Sequence, residues 1–176
     1  MSSKVLTSVL LIVGLACVYG VFSAYSADAP DPVLTGTVTK VIDADTIDVE
    51  LTSGPIRIRL HGIDAPERGQ PWEDEATAAL KKRVLHKEVD VEPFEQDRYD
   101  RLIGIVYLSD TNINAELVQN GHAWAYRQYM RKMDGTLCVD ELQARLSKKG
   151  LWSLSKKERI APWEWRKRKN LKTFTD

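Results

Sequence analysis

The sequence contains few of the residues that build thiolate, imidazole or disulfide sites. Two cysteines and three histidines occur in 176 residues, and the histidines, His61, His86 and His122, are far apart. A histidine metal centre is therefore disfavoured, because such centres need several imidazoles close together. Cys17 lies in an N-terminal segment whose removal would leave Cys138 alone, so the mature chain would form no internal disulfide.

The chain also lacks an overall charge of either sign. Lys plus Arg equals Asp plus Glu, at 25 each, so the net charge says nothing for or against a polyanionic partner. The charges are unevenly distributed, because 11 basic and 5 acidic residues lie from Asp140 onward. The basic excess belongs to the C-terminal part of the chain, where a solvated charged face is its simplest interpretation.

The N-terminal segment has the pattern of an export signal. Lys4 precedes a charge-free run from Val5 to Phe22, and Ala24 and Ser26 form a small-x-small cleavage site. The run is also just long enough to span a membrane, so an uncleaved anchor remains an alternative, as does lipidation at Cys17. We expect a cleaved, secreted or periplasmic protein. The alternative is membrane association through residues 5–22.

Short runs of alternating apolar and polar residues predict five strands. They cover residues 35–42, 46–51, 56–61, 89–94 and 101–108. Helices are predicted at residues 72–86, which carry acids early and bases late as the helix dipole favours, and near residues 114–120 and 139–149. Three strands, a helix, two strands and then helices indicate an α+β, mainly β, fold built on a small Greek-key barrel.

We predict four segments along the chain. Residues 1–26 form the signal peptide or anchor, residues 27–33 a linker, residues 34–153 the barrel domain, and residues 154–176 a basic tail that contains tryptophan. Aromatic residues interleave with bases in this tail, a composition that suits base stacking along a phosphate backbone. Docking of the tail onto the barrel is the interpretation that we prefer.

Acidic and basic residues converge around the end of the predicted third strand. Arg59 lies on that strand, and Asp64 and Glu67 follow in a loop. Pro66 restricts Ala65 to an extended conformation, which fixes where the Ala65 carbonyl points. A guanidinium, two acids and a stiffened carbonyl suggest a site for a cation and a phosphate. The simpler alternative is a polar loop with a surface salt bridge.

Two predicted turns carry similar residues. Asp43 and Asp45 lie between the first two strands, where aspartate often stabilises a turn with its own side chain. An EF-hand is excluded there, since the Gly and Glu that its loop needs do not follow. The second turn, Asp97–Arg101, enters the fifth strand and is typical of a charged hairpin with an internal ion pair.

Taken together, these segments resemble the staphylococcal (micrococcal) nuclease family. The match consists of Ile42-Asp-x-Asp-Thr46, Arg59-Leu-x-Gly-Ile-Asp-x-Pro-Glu67 and Asp97-Arg-Tyr-x-Arg101, in that order. It continues through Asn120-Gly-x-Ala-x-x-Tyr126 and Gly150-Leu-Trp152. The resemblance implies an OB-fold, a five-stranded barrel whose loops and open face commonly bind oligonucleotides.

The resemblance also implies a hydrolase, a calcium-dependent nuclease. It would cleave DNA and RNA with little sequence preference, favour single-stranded or locally unpaired segments, and leave 3′-phosphates. Asp45, Asp64 and the Ala65 backbone carbonyl match the family's calcium ligands, an all-oxygen set that suits a hard cation. Asp43 is expected to shape the turn rather than bind the metal. We expect the protein to be a monomer.

The catalytic roles implied by the resemblance fall on three residues. Glu67 matches the glutamate proposed to orient or deprotonate the attacking water. Arg59 and Arg101 match the pair that binds the phosphate oxygens as charge develops on them. Guanidinium suits that role because it stays charged and offers a planar fork of donors.

Three further residues match the family's nucleotide pocket. Tyr99 matches a pocket tyrosine and Arg98 a basic residue beside it. Tyr129 matches a second pocket tyrosine, with a packed core tyrosine as its alternative. Asp100 stands where the family often has Gly, and Asp tolerates a positive φ better than most residues.

Two other classes of protein stay open. One is an OB-fold module that binds single strands or a protein partner without catalysis, and the other is a membrane-tethered calcium-binding protein. Inactive members of the family usually lack the acids or arginines, whereas here they are all present, which favours the enzyme.

Overall fold

The computed structural model describes residues 33–130 and 135–173, and the side chains up to residue 169. The strands are β1 (Leu34–Asp43), β2 (Thr46–Leu51), β3 (Gly54–Leu60), β4 (Ile63–Asp64), β5 (Glu88–Gln96), β6 (Leu102–Leu108), β7 (Thr111–Asn112) and β8 (Trp124–Ala125). The helices are α1 (Glu73–Val84), α2 (Ile113–Gln119), α3 (Gly135–Leu146) and α4 (Pro162–Thr173), with 3-10 turns at Arg127–Tyr129 and Gly150–Ser153. The predicted export signal lies outside the described residues.

Strands β1, β2, β3, β5 and β6 form a closed barrel. They are ordered β3-β2-β1-β5-β6, with antiparallel pairing between neighbours. A parallel pairing of β3 with β6, in which Ile58 lies opposite Leu102, closes the circle. This is a five-stranded Greek-key barrel with an extra strand, β7, at its edge, so the predicted OB-fold class is confirmed.

The interior of the barrel is built by the apolar positions that alternate along its strands. Val38, Ile47, Val49 and Ile58 are completely buried, and the polar residues between them point outward or to the ends of the barrel. Each predicted strand is present, with ends that differ from the prediction by one or two residues. Alternation was a reliable guide because one face of every strand is covered.

Helix α1 packs its apolar stripe against the barrel core. Ala76, Leu80 and Val84 are buried in that cluster. The first turn of the helix is acidic and its last turn is basic, as predicted, which places each charge where the helix dipole favours it.

Helix α2 is attached to the barrel through one buried amide. Asn114 accepts a hydrogen bond from the backbone N–H of Val106 at 3.1 Å, and its Nδ2 donates to the carbonyls of His61 and Gly104 at 2.9 and 3.2 Å. His61 directly follows β3, and Gly104 lies on β6. A single side chain therefore holds the seam where the barrel closes.

The basic tail folds into a helix, α4, in addition to the three helices that were expected. The Trp163 ring stacks on Tyr126 at 5.3 Å with an interplanar angle of 4°, and meets Trp124 edge-on at 5.7 Å. The Gln70 side chain also donates to the Ile160 carbonyl just before the helix. The preferred interpretation, docking of the tail onto the barrel, is confirmed. None of the helices in the described ranges is long and apolar enough to cross a membrane.

Candidate active site

The β1–β2 turn and the loop after β3 are joined by backbone hydrogen bonds around Asp45. The Leu60 N–H donates to the Asp45 carbonyl, and the Ala65 N–H donates to the Asp45 carboxylate, both at 2.8 Å. Asp43 accepts from the Asp45 N–H at 3.1 Å and so shapes the turn, as predicted. Two segments that are some twenty residues apart in sequence thus place Asp45 beside the Asp64 loop.

Asp45 and Asp64 share one guanidinium. Arg59 Nη2 lies 3.1 Å from Asp45 Oδ2 and 3.2 Å from Asp64 Oδ1, while its Nη1 donates to the Leu60 carbonyl at 2.8 Å. The Asp64 side chain is only 1% exposed, because β4 pairs it with Trp124 of β8. We call Asp45, Arg59, Asp64 and Glu67 the carboxylate cluster.

Burial gives this cluster an excess of poorly solvated negative charge. Burial raises the pKa of Asp64 to about 6. The Asp45 charge acts in the same direction, and the hydrogen bond from Arg166 and the Arg59 charge act in the other. Burial, followed by the charge of Asp45, likewise raises the pKa of Asp43 to about 6. Acids whose ionised forms are destabilised in this way attract a cation.

The oxygen atoms of the cluster fit a hard cation. Carboxylate and carbonyl oxygens are the ligands that calcium prefers. Ala65 is buried, and its N–H donates to the Asp45 carboxylate, which holds the Asp64–Ala65 peptide group beside the acids. Within residues 33–130 and 135–173, no three Asp, Glu, His or Cys side chains converge on one metal position. Backbone oxygen and water would therefore complete the coordination of a metal bound by Asp45 and Asp64.

Glu67 lies at the mouth of the cluster. Its backbone N–H donates to the Gln70 side chain at 3.0 Å, and its carbonyl accepts from the Gln70 N–H at 2.8 Å. This turn holds the Glu67 carboxylate partly exposed, within reach of both Asp64 and solvent.

An arginine that the sequence did not single out completes the cluster. Arg166 of α4 donates from Nη1 and Nη2 to the two oxygens of Asp64, at 3.1 and 2.9 Å, and from Nη1 to Glu67. Burial lowers the pKa of Arg166, but its hydrogen bonds to Asp64 and Glu67 outweigh that and raise it. The available signal was its spacing: Arg166 follows Trp163 by three residues, so the two share a helix face.

Arg101 lies in a self-contained turn, Asp97–Arg101, which we call the arginine turn. Asp97 accepts from the N–H groups of Tyr99 and Arg101 at 2.8 and 3.1 Å, and from Arg101 Nε at 2.8 Å. Burial raises the pKa of Asp97, but these hydrogen bonds outweigh it and lower the pKa. Asp100 adopts a φ of 58°, as its place in the turn suggested. The contacts described for Arg101 do not reach the carboxylate cluster.

The three predicted pocket residues are at the surface. Tyr99 is 64% exposed, with the Arg98 and Arg101 guanidinium carbons 4.9 and 5.5 Å from its ring centroid. Tyr129 is 57% exposed, with its ring 4.9 Å from that of Tyr126, so the alternative of a packed core tyrosine is wrong. Both tyrosines are more than half exposed.

The barrel and its cluster define an OB-fold protein with an acidic, arginine-flanked site at one end. The family model described as "Staphylococcal nuclease homologue" matches residues 57–154. The chain belongs to this family.

Several known proteins are similar in sequence to this protein over most of its chain. A micrococcal nuclease of Shigella flexneri is 41% identical over 141 residues, which cover 75% of this chain and 80% of the relative. An uncharacterised endonuclease of Escherichia coli is 43% identical over 135 residues, covering 76% and 86% of the two chains. An uncharacterised endonuclease of Haemophilus influenzae is 33% identical over 169 residues, covering 95% and 90%.

Proposed function

We propose that this protein is a calcium-dependent nuclease that hydrolyses the phosphodiester bonds of DNA and RNA. The observation that carries the proposal is the Arg59 guanidinium shared by two buried carboxylates, Asp45 and Asp64, with Glu67 beside them. Membership of the family, and the nuclease and endonuclease names of its relatives, support the same reaction.

Asp45, Asp64 and the Ala65 carbonyl would hold the calcium ion. When bound, the ion supplies charge neutralisation at the phosphate and a water with a lowered pKa. Asp64 and Asp45 can contribute because burial leaves their charge poorly solvated, and Arg59 keeps both carboxylates oriented toward the same point.

Glu67 is placed to receive the proton of the attacking water, since its carboxylate is partly exposed at the mouth of the cluster. In the reaction, a bond forms between the water oxygen and phosphorus and the bond between phosphorus and the 5′ oxygen breaks. That oxygen takes a proton from solvent water as it leaves, and Glu67 returns the proton it received to solvent. The product strand carries a 3′-phosphate. Arg59 and Arg101 neutralise the phosphoryl oxygens as charge builds on them.

Single-stranded or locally unpaired segments are the proposed substrate. Base stacking on aromatic rings needs unpaired bases, and the exposed rings of Tyr99 and Tyr129 provide such faces. Comparing the rates for a single-stranded oligonucleotide and its duplex tests this preference. Equal rates on both substrates would contradict it.

The test of the main proposal is hydrolysis of plasmid DNA and of RNA by the purified protein in calcium or in a calcium chelator. We expect cleavage in calcium, loss of cleavage in the chelator, and recovery when calcium is returned. A phosphatase specific for 3′ ends should release one phosphate from each new end, and the new 5′ hydroxyls should accept phosphate from a kinase without earlier phosphatase treatment. Full activity in the chelator would exclude Asp45 and Asp64 as calcium ligands.

We also propose that the protein is exported and cleaved after Ser26. The charge-free run from Val5 to Phe22, with small residues at Ala24 and Ser26, supports this. Mass spectrometry of the protein from its native host should find a chain that starts near Ala27. An intact Met1 in the membrane fraction would indicate the anchored alternative.

A further inference from the structure

Helix α4 brings a guanidinium into the carboxylate cluster from outside the residues that the family model matches. The family model covers residues 57–154, whereas α4 spans Pro162–Thr173. Arg166 and Asp64 are 102 residues apart in sequence. The contact therefore depends on the docking of the C-terminal tail.

Arg166 occupies the same oxygen atoms that a bound cation requires. Its two terminal nitrogens donate to both oxygens of Asp64, and Nη1 also donates to Glu67. A hard cation needs direct contact with at least one Asp64 oxygen. Arg166 in this position and a metal on Asp64 therefore compete for the same oxygens.

The two arginines of the site differ in how freely they can move. Arg59 is part of strand β3, and its side chain is 15% exposed. The Arg166 side chain is 39% exposed and lies on the surface of α4. The Arg166 side chain can leave Asp64 by changing its rotamer, without disturbing the barrel. The Arg59 side chain cannot, because it is largely enclosed on β3.

The docking of α4 does not depend on the ion pair. Trp163 packs on Trp124 and Tyr126, and Gln70 binds the Ile160 carbonyl at 2.6 Å. Because Trp124 pairs with Asp64 in the small β4–β8 sheet, this packing sets the start of α4 directly over the cluster. The helix stays in place when the Arg166 side chain leaves.

We propose that Arg166 is an active-site residue that competes with the divalent cation for Asp64. In the metal-free protein it neutralises Asp64 and Glu67, and it must leave Asp64 when the metal binds. The inference rests on the proposed function, since it takes Asp64 as a metal ligand. It predicts that the wild-type protein binds calcium more weakly than the cluster alone would.

Calorimetric titration with calcium, in the absence of nucleic acid, tests the competition in the full exported chain. The variants are Arg166→Gln and the matched control Arg168→Gln, which removes an exposed arginine from the same helix. We expect Arg166→Gln to bind calcium about tenfold more tightly or better, because hydrogen bonds to charged groups of this kind oppose binding in the wild type. The control should match the wild type.

Thermal melting provides a second readout. Without calcium, Arg166→Gln should melt at a lower temperature than the wild type, because Asp64 and Glu67 lose their counter-charge. Calcium should then raise its melting temperature more than that of the wild type. If this variant does not fold without metal, Arg166→Lys, which keeps the charge but loses the fork of donors, should bind calcium several-fold more tightly.

The outcomes separate this inference from the proposed function. Equal or weaker calcium binding by folded Arg166→Gln, or by Arg166→Lys, would overturn the competition and leave the metal site intact. The absence of calcium binding in the wild type and in every variant would overturn both.

Discussion

The carboxylate cluster and the arginine turn both pair arginine with aspartate, but burial makes them different. In the cluster, the Arg59 side chain is 15% exposed and forms ion pairs with two carboxylates that repel each other. In the turn, the side chain of Arg101 is 29% exposed and forms its ion pair with Asp97, four residues earlier in the chain. The cluster carries more negative than positive charge, which favours the binding of a further cation. In the turn, the charges of Asp97 and Arg101 offset each other.

This difference determines whether a substitution affects both the stability of the fold and the activity, or mainly the activity. A substitution in the cluster disturbs buried charges and the site together, because the same atoms serve both. A substitution in the turn changes a partly exposed ion pair, whose contribution to folding is small. The turn can therefore release Arg101 to a phosphate at little cost to the fold. Three measurements test this contrast, and a fourth follows the pH dependence of a residue outside both regions.

The largest effect is expected for Asp64→Asn. The amide keeps the shape of the side chain but removes the charge that binds the metal, so activity should fall on the order of a thousandfold. Stabilisation by calcium, measured by thermal melting, should also disappear. Asp48→Asn, which affects an exposed pair with Arg57 on the same barrel, is the control and should stay near wild-type activity. Activity of Asp64→Asn within a few-fold of wild type would remove Asp64 from the metal site.

The next effect is expected for Arg101→Lys. Lysine keeps the charge but loses the planar fork, so turnover should fall on the order of a hundredfold while oligonucleotide binding stays within about tenfold. The free energy of unfolding should change by less than about 1 kcal/mol. Arg57→Lys, in the pair with Asp48, is the control. A folded Arg101→Lys that hydrolyses DNA within a few-fold of wild type would make Arg101 a structural residue only.

The third measurement compares the stability of Arg59→Lys and Arg101→Lys. Lysine at position 59 cannot donate to Asp45, Asp64 and the Leu60 carbonyl at the same time. The two buried carboxylates therefore lose hydrogen-bond donors. We expect a loss of about 1–3 kcal/mol in the free energy of unfolding, determined by urea titration. Equal losses at both positions would show that burial does not distinguish the cluster from the turn.

The smallest effect concerns His122. It belongs to neither region, so its contribution to the pH dependence of the free energy of unfolding is separate from theirs. Its Nδ1 accepts from Trp72 Nε1 at 3.3 Å, and burial lowers its pKa below the ordinary value of 6.5. Below pH 6.5 the unfolded chain therefore binds a proton that the folded chain resists. The contribution of His122 to the free energy of unfolding should fall as the pH decreases from 6.5 toward its folded pKa.

The variant His122→Asn should lack this contribution, so the difference in the free energy of unfolding between wild type and variant, measured by urea titration at several pH values, should shrink as the pH decreases over the same range. A difference that stays constant with pH would show that His122 does not contribute. The raised pKa values of Asp43 and Asp64 act in the opposite direction, because they let the folded chain bind protons that the unfolded chain does not.

The sequence predicted the parts of the molecule that local rules determine. Alternation located the strands because their inner faces are completely buried, as at Val38 and Ile47. The arginine turn was visible because Asp97 and Arg101 are four residues apart. Asp45 directly precedes β2, and Asp64 lies in the segment after β3. Because β2 and β3 pair, the order of the motifs suggested that these two acids lie close together.

Arg166 was not predicted, because its position depends on packing over a long range. Its place follows from a chain of contacts: Asp64 pairs with Trp124, Trp124 meets Trp163, and Trp163 lies one turn before Arg166. Each of these contacts is set by tertiary structure. The sequence showed only that bases and aromatic residues alternate in the tail.

The amide of Asn114 gives the site a particular place in the order of folding. It reaches His61 across 53 residues of chain and Gly104 across 10, so all three of its hydrogen bonds can be present together only after β3 and β6 have met. Such distant pairings form late, since the entropy of closing the intervening chain must first be overcome. The loop that carries Asp64 begins directly after His61. We therefore expect the strands to pair before the seam closes at His61, so that the loop with Asp64 reaches its final position in a late step.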